Sequence, residues 1–65
     1  MKLQLNGAMI ETQAEVLAGL LDEQGFTGAK IATAVNGDFV PAPARAAQPL
    51  KDGDRIEVLA PMQGG

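Results

Sequence analysis

The chain opens on polar–apolar alternation, Lys2-Leu3-Gln4-Leu5, then Asn6-Gly7, then Ala8-Met9-Ile10-Glu11. A period of two marks a half-buried strand. Asn-Gly between two such runs marks a two-residue type I′ hairpin, because both central residues need φ > 0. A two-residue loop sets Leu5 opposite Ala8, Gln4 opposite Met9, Leu3 opposite Ile10 and Lys2 opposite Glu11. Cross-strand partners share a face. Leu3, Leu5, Ala8 and Ile10 therefore line one side, and Lys2 pairs with Glu11 on the other.

The period then changes. Val16, Leu17, Leu20 and Leu21 fall on one helical stripe, with Glu15, Asp22 and Glu23 on the opposite side. Thr12-Gln13-Ala14-Glu15 reads as a capping box that starts this helix, each end residue bonding the other's backbone N–H. Gly25 supplies a left-handed C′ residue, with Phe26 at C″ packing on Leu21. Gly19 falls on the solvent side, at a cost of about 1 kcal/mol relative to alanine.

Ile31 to Val35, Asn36-Gly37-Asp38 and Phe39-Val40 make a second hairpin, whose register stays open because both faces carry apolar residues. Pro41 and Pro43 stop the returning strand, since proline cannot donate to a ladder. Ala42 to Pro49 is a loop with room for one helical turn around Arg45-Ala46-Ala47. Lys51-Asp52-Gly53-Asp54 is a turn. Arg55 to Ala60 resumes alternation, with Ile56, Val58 and Ala60 on one side and Leu59 on the other.

Hairpin, helix, hairpin, loop, strand is the order of a two-layer α+β domain, because one amphipathic helix covers one face of one sheet. The last strand is expected beside the first and parallel to it. The division is a domain over residues 1–61 and a flexible tail over 62–65.

Composition narrows the chemistry. Sixty-five residues make one small domain, and with no cysteine or histidine among them there is no disulfide, no thiolate and no imidazole base. The net charge of −3 and the scatter of Lys2, Lys30, Arg45, Lys51 and Arg55 argue against a nucleic-acid partner. No run is long and apolar enough for a membrane span. A turn also interrupts the start before a signal-peptide core can form, so a cytoplasmic location is expected. Asp52 and Asp54 read as turn residues rather than a metal pair, since aspartate bonds its own backbone in turns and no third ligand is near. No metal, cofactor or catalytic constellation is expected, and the chain does not read as an enzyme.

What remains is Pro61-Met62-Gln63-Gly64-Gly65. Two residues without Cβ accept nearly any φ/ψ, pass a channel closed to side chains, and leave the Gly65 carboxylate unhindered. Either that carboxylate is the working group or the tail is an inert, frayed end. Met62, Gln63 and Gly64 are then candidates for tail recognition. Leu59 on the open face near Met9, with Pro61, is the candidate partner surface.

The ordered set of Ala34-Val35-Asn36-Gly37-Asp38-Phe39-Val40-Pro41, Leu50-Lys51-Asp52-Gly53-Asp54-Arg55-Ile56-Glu57-Val58 and the closing Pro61-Met62-Gln63-Gly64-Gly65 resembles the ThiS family. These are the sulfur-carrier proteins of thiamine (thiazole) biosynthesis, within the ubiquitin-like β-grasp superfamily. The resemblance implies a mixed sheet of four to five strands on one main helix. It further implies that an E1-like enzyme using ATP adenylates Gly65. A cysteine desulfurase or other sulfur donor then converts it to a thiocarboxylate, and thiazole synthase takes the sulfur. The small subunit of molybdopterin synthase, and a ubiquitin-like modifier joined to lysines through Gly65, share this tail chemistry and stay open as alternatives. Ala42-Pro43-Ala44, ahead of Arg45, departs from the family pattern and leaves any partner contact of that loop unassigned.

Overall fold

The computed structural model describes residues 1–26 and 30–60. The first hairpin pairs β1 (Lys2–Leu5) with β2 (Ala8–Glu11) in the register the turn demands, Leu5↔Ala8 through Lys2↔Glu11. Asn6 and Gly7 take φ of 51° and 87°, as a type I′ turn requires. Leu3 is fully buried, and Leu5 and Ile10 pack against the core from its margin.

The helix, α1, runs from Leu17 to Glu23, and its stripe of Leu17, Leu20 and Leu21 is buried as expected. Its start is not. The capping box does not form, and Val16 sits at the N-cap in an extended conformation with no side-chain cap. Residues 15–17 instead run beside 48–50. Leu17 N–H donates to the Gln48 carbonyl at 2.9 Å, Leu50 N–H donates to the Glu15 carbonyl at 3.0 Å, and Val16 bridges Pro49. A carbonyl from a distant segment thus takes the place of a side-chain cap, accepting from the Leu17 N–H, one of the unpaired donors of a helix start. Thr12 is buried and turned to other work. Its hydroxyl accepts from Ala14 N–H at 3.0 Å and donates to the Glu23 carboxylate, tying the loop to the far end of the helix.

That far end closes as the sequence implies. Gly25 N–H donates to the Asp22 carbonyl at 3.1 Å and Phe26 N–H to the Leu21 carbonyl at 2.8 Å, with Gly25 at φ 84°. These are the two bonds of a Schellman motif. Gly19, expected to face solvent, is half-buried: a Cβ there would lie 3.5 Å from that of Ala14.

The second hairpin joins β3 (Ala32–Val35) to β4 (Asp38–Val40) through Asn36-Gly37, in the register Val35↔Asp38, Ala34↔Phe39 and Thr33↔Val40. This resolves which face is which. Thr33, Val35 and Val40 turn to the core, and Ala32, Ala34 and Phe39 turn away. A 3-10 helix over Ala42–Ala47 follows Pro41 at once, longer than the single turn expected. The final strand, β5 (Arg55–Leu59), lies between the hairpins, parallel to β1 and antiparallel to β3. The sheet order is β2-β1-β5-β3-β4. Its inner face packs Leu3, Ile56, Val58, Val35 and Val40 against Leu17, Leu20, Leu21 and Leu50. The result is an α+β, β-grasp architecture with five strands on one helix.

Candidate functional site

Strand β5 leads directly to the candidate tail, so what holds it bears on any tail chemistry. Its inward residues, Ile56 and Val58, are buried, which anchors its inner face by apolar contact. Its entry is fixed by a polar cluster. Asp54 is buried, and its carboxylate accepts from Lys51 N–H and from the Asn36 side-chain amide, both at 2.9 Å. Burial pushes the Asp54 carboxyl up. The Asn36 amide, the Lys51 backbone N–H and the Lys51 charge outweigh it and hold the group below its ordinary value. Asp52 accepts from Lys2 N–H at 2.7 Å and so ties the same turn to β1. Both aspartates thus serve the turn; among the described residues, no cluster of three or more His, Cys, Asp or Glu forms a metal site.

Among the described residues, none covers the outer face of the sheet. Leu59, Phe39 and Met9 are 73%, 69% and 61% exposed on it. The register separates the expected pair. Met9 lies opposite Gln4, which pairs with Arg55, whereas Leu59 lies four residues further along β5. At strand spacing that is about 13 Å along and about 10 Å across the sheet. Leu59 instead shares a shallow hollow of about 270 Å³ with Phe39, floored by Ala32 and Ala34 and edged by Asn6 and Glu57. Phe39 was missed as a surface residue because two apolar faces left the second hairpin's register open. The small residues at positions 32 and 34, spaced by two, were the signal that could have marked a floor.

A second hollow, about 310 Å³, opens between the second hairpin and residues 48–51. Its buried carboxylate is Asp54, already engaged as above. The loop after Pro41 is held from within by Arg45. Its guanidinium donates to the Thr33 hydroxyl at 3.0 Å and to the Ile31 carbonyl at 2.7 Å. Thr33, fully buried, donates its hydroxyl to the Val40 carbonyl at 2.7 Å. Arg45 is therefore a structural clasp between the 3-10 helix and β3.

The tail residues Pro61, Met62, Gln63, Gly64 and Gly65 lie outside the described residues, as does the proposed boundary at 61. No helix among the described residues is long and apolar enough to cross a membrane.

A comparison of the sequence with curated proteins gives no match. The family model of the ThiS family matches residues 3–65. Among solved structures, the chain is similar to the thiamine biosynthesis protein ThiS from Geobacter metallireducens. The two are 32% identical, each is covered over 100% of its length, and the TM-score is 0.83. A match from the first strand through Gly65, on a fold shared over its whole length, leads to one conclusion: the chain belongs to the ThiS family.

Proposed function

We propose that this protein is a sulfur carrier acting through the α-carboxylate of Gly65 in thiamine biosynthesis. The observation that carries the reading is the family match extending through Gly65. An α-carboxylate, with an ordinary pKa of about 3.3–3.7, is ionised at neutral pH and is a poor electrophile. An E1-like enzyme would activate it: a carboxylate oxygen attacks the α-phosphorus of ATP and pyrophosphate leaves. The terminal sulfur of a cysteine-desulfurase persulfide, or sulfide from another donor, then attacks the acyl carbon, and AMP departs with the bonding electrons. With the persulfide, a thiol then cleaves the acyl disulfide, itself ending as a disulfide, and Gly65 carries a thiocarboxylate for thiazole synthase. A chain with no cysteine, histidine or tyrosine offers few groups able to intercept its own acyl-adenylate. The hollow between Leu59 and Phe39, on the strand that leads to the tail, is the surface best suited to dock the activating enzyme. Met9 is a more distant part of the same face.

Intact-mass measurement tests this reading. Incubation with an E1-like activating enzyme, ATP and a sulfur donor should replace one oxygen by sulfur, and a chain lacking Gly65 should fold yet stay unchanged. Failure of the full chain to convert, where an established carrier does, refutes the proposal. Adducts to lysines of other proteins would instead identify a modifier. Conversion accompanied by sulfur transfer to a molybdopterin precursor, and not to thiazole synthase, would identify the molybdopterin branch.

A further inference from the structure

Strand β5 is held differently on its two flanks. Toward β3 the antiparallel ladder is regular as far as Leu59↔Ala32. Toward β1 the ladder ends at Leu5↔Ile56, where Asn6 N–H donates to the Ile56 carbonyl at 2.9 Å. Beyond that point β1 turns away into its hairpin, with Asn6 in the left-handed region at φ 51°. A regular parallel ladder would offer Val58 the next main-chain group of β1. The Asn6 side chain takes that place. Its Oδ1 accepts from Val58 N–H at 2.8 Å, and its Nδ2 donates to the Val58 carbonyl at 3.2 Å. The second Asn-Gly turn acts at the opposite end of the strand. Asn36 Oδ1 accepts from Arg55 N–H at 2.9 Å, and Asn36 N–H donates to the Arg55 carbonyl at 2.7 Å. One asparagine clamps the strand's entry and the other its exit.

We propose that Asn6 is a positioning residue for the tail reaction: its carboxamide fixes the end of β5, the strand that precedes Gly65 in the chain. The inference rests on the sulfur-carrier reading above. Without that amide, both main-chain groups of Val58 on this flank lose their partner and the end of β5 loosens. Gly65 follows Leu59 by six residues in the sequence, so a looser strand end lowers its effective concentration at a partner's nucleotide. A displacement of about 1 Å at the reacting atoms can cost up to about 10²-fold in rate, so a smaller loosening is expected to cost about tenfold. The penalty of a loosened β5 end belongs in kcat, and a change in KM would report Asn6 at the rim of the hollow instead.

Glycine tolerates the same left-handed turn, so Asn6→Gly removes the clamp and spares the hairpin. Asn36→Gly is the matched control at the strand's other end. Amide exchange at Val58 is read on the carrier alone, and kcat and KM are read in the thiocarboxylation assay. Asn6→Gly should speed Val58 exchange about tenfold or more and lower kcat by about tenfold. Asn36→Gly should leave Val58 exchange and kcat near wild type. Should Asn6→Gly not fold, Asn6→Asp, which keeps the acceptor and loses the donor, should give an intermediate exchange rate and kcat. Unchanged Val58 exchange overturns the inference, and so does equal kcat for the clamp-deleted variant, wild type and the Asn36→Gly control. Those results leave the carrier reading intact. A wild-type chain that is never converted refutes that reading and this inference with it.

Discussion

Replacing Gly19 by alanine should stabilise the domain, and replacing Gly25 by alanine should destabilise it. Gly19 lies inside α1 with an ordinary helical backbone, and a Cβ there would meet only the Ala14 Cβ at 3.5 Å and Val16 Cγ2 at 4.0 Å. Those are normal contact distances, so the full helix-propensity difference of about 1 kcal/mol is available. Gly25 has φ 84° and open space where its Cβ would point. Its substitution meets no clash, and the cost is the left-handed backbone alone, about 1–2 kcal/mol. For a domain of this size, 1 kcal/mol corresponds to roughly 7 °C in Tm. Thermal unfolding followed by circular dichroism should therefore raise Tm by roughly 7 °C for Gly19→Ala and lower it by about 7–14 °C for Gly25→Ala. A Tm for Gly19→Ala at or below wild type would mean that the 3.5 Å contact is already too tight. A neutral Gly25→Ala would refute the Schellman geometry as the reason for that glycine.

Other perturbations separate folding from recognition. Asp54, held below its ordinary value of 3.8, contributes stability that is present above that value and lost as pH falls through its lower folded one. Asp54→Asn should accordingly flatten the acid limb of a urea-midpoint-versus-pH curve, and an unaltered limb would assign that limb to other carboxylates. Arg45→Lys keeps the charge but not the fork that reaches both Thr33 and Ile31, so it should cost about 1–3 kcal/mol in urea unfolding. A shift under about 0.5 kcal/mol would show that the clasp is dispensable. Leu59→Asp should leave stability within about 0.5 kcal/mol while raising KM for the activating enzyme about tenfold or more. Unchanged KM would remove the hollow as the docking surface. An equal rise for Met9→Asp would extend that surface across the whole sheet.

The first hairpin, the core stripe of the helix, its Schellman end and the outward placement of Leu59 could all be read from the chain, because each depends on residues within a few positions of one another. Asn-Gly demands its turn whatever surrounds it, and a two-residue turn determines the faces of both strands. The family resemblance likewise rested on ordered local motifs. The helix start was decided elsewhere: the unpaired N–H of Leu17 takes the partner that folding brings, and here that is the Gln48 carbonyl rather than the side chains of Thr12 and Glu15. The neighbour of Leu59 was decided by the register of a hairpin with two apolar faces, which put Phe39 rather than Met9 beside it. The roles of Asn6, Asn36 and Arg45 were equally hidden. Their side chains bond atoms 52, 19 and 14 residues away, and no local pattern encodes a partner at that separation.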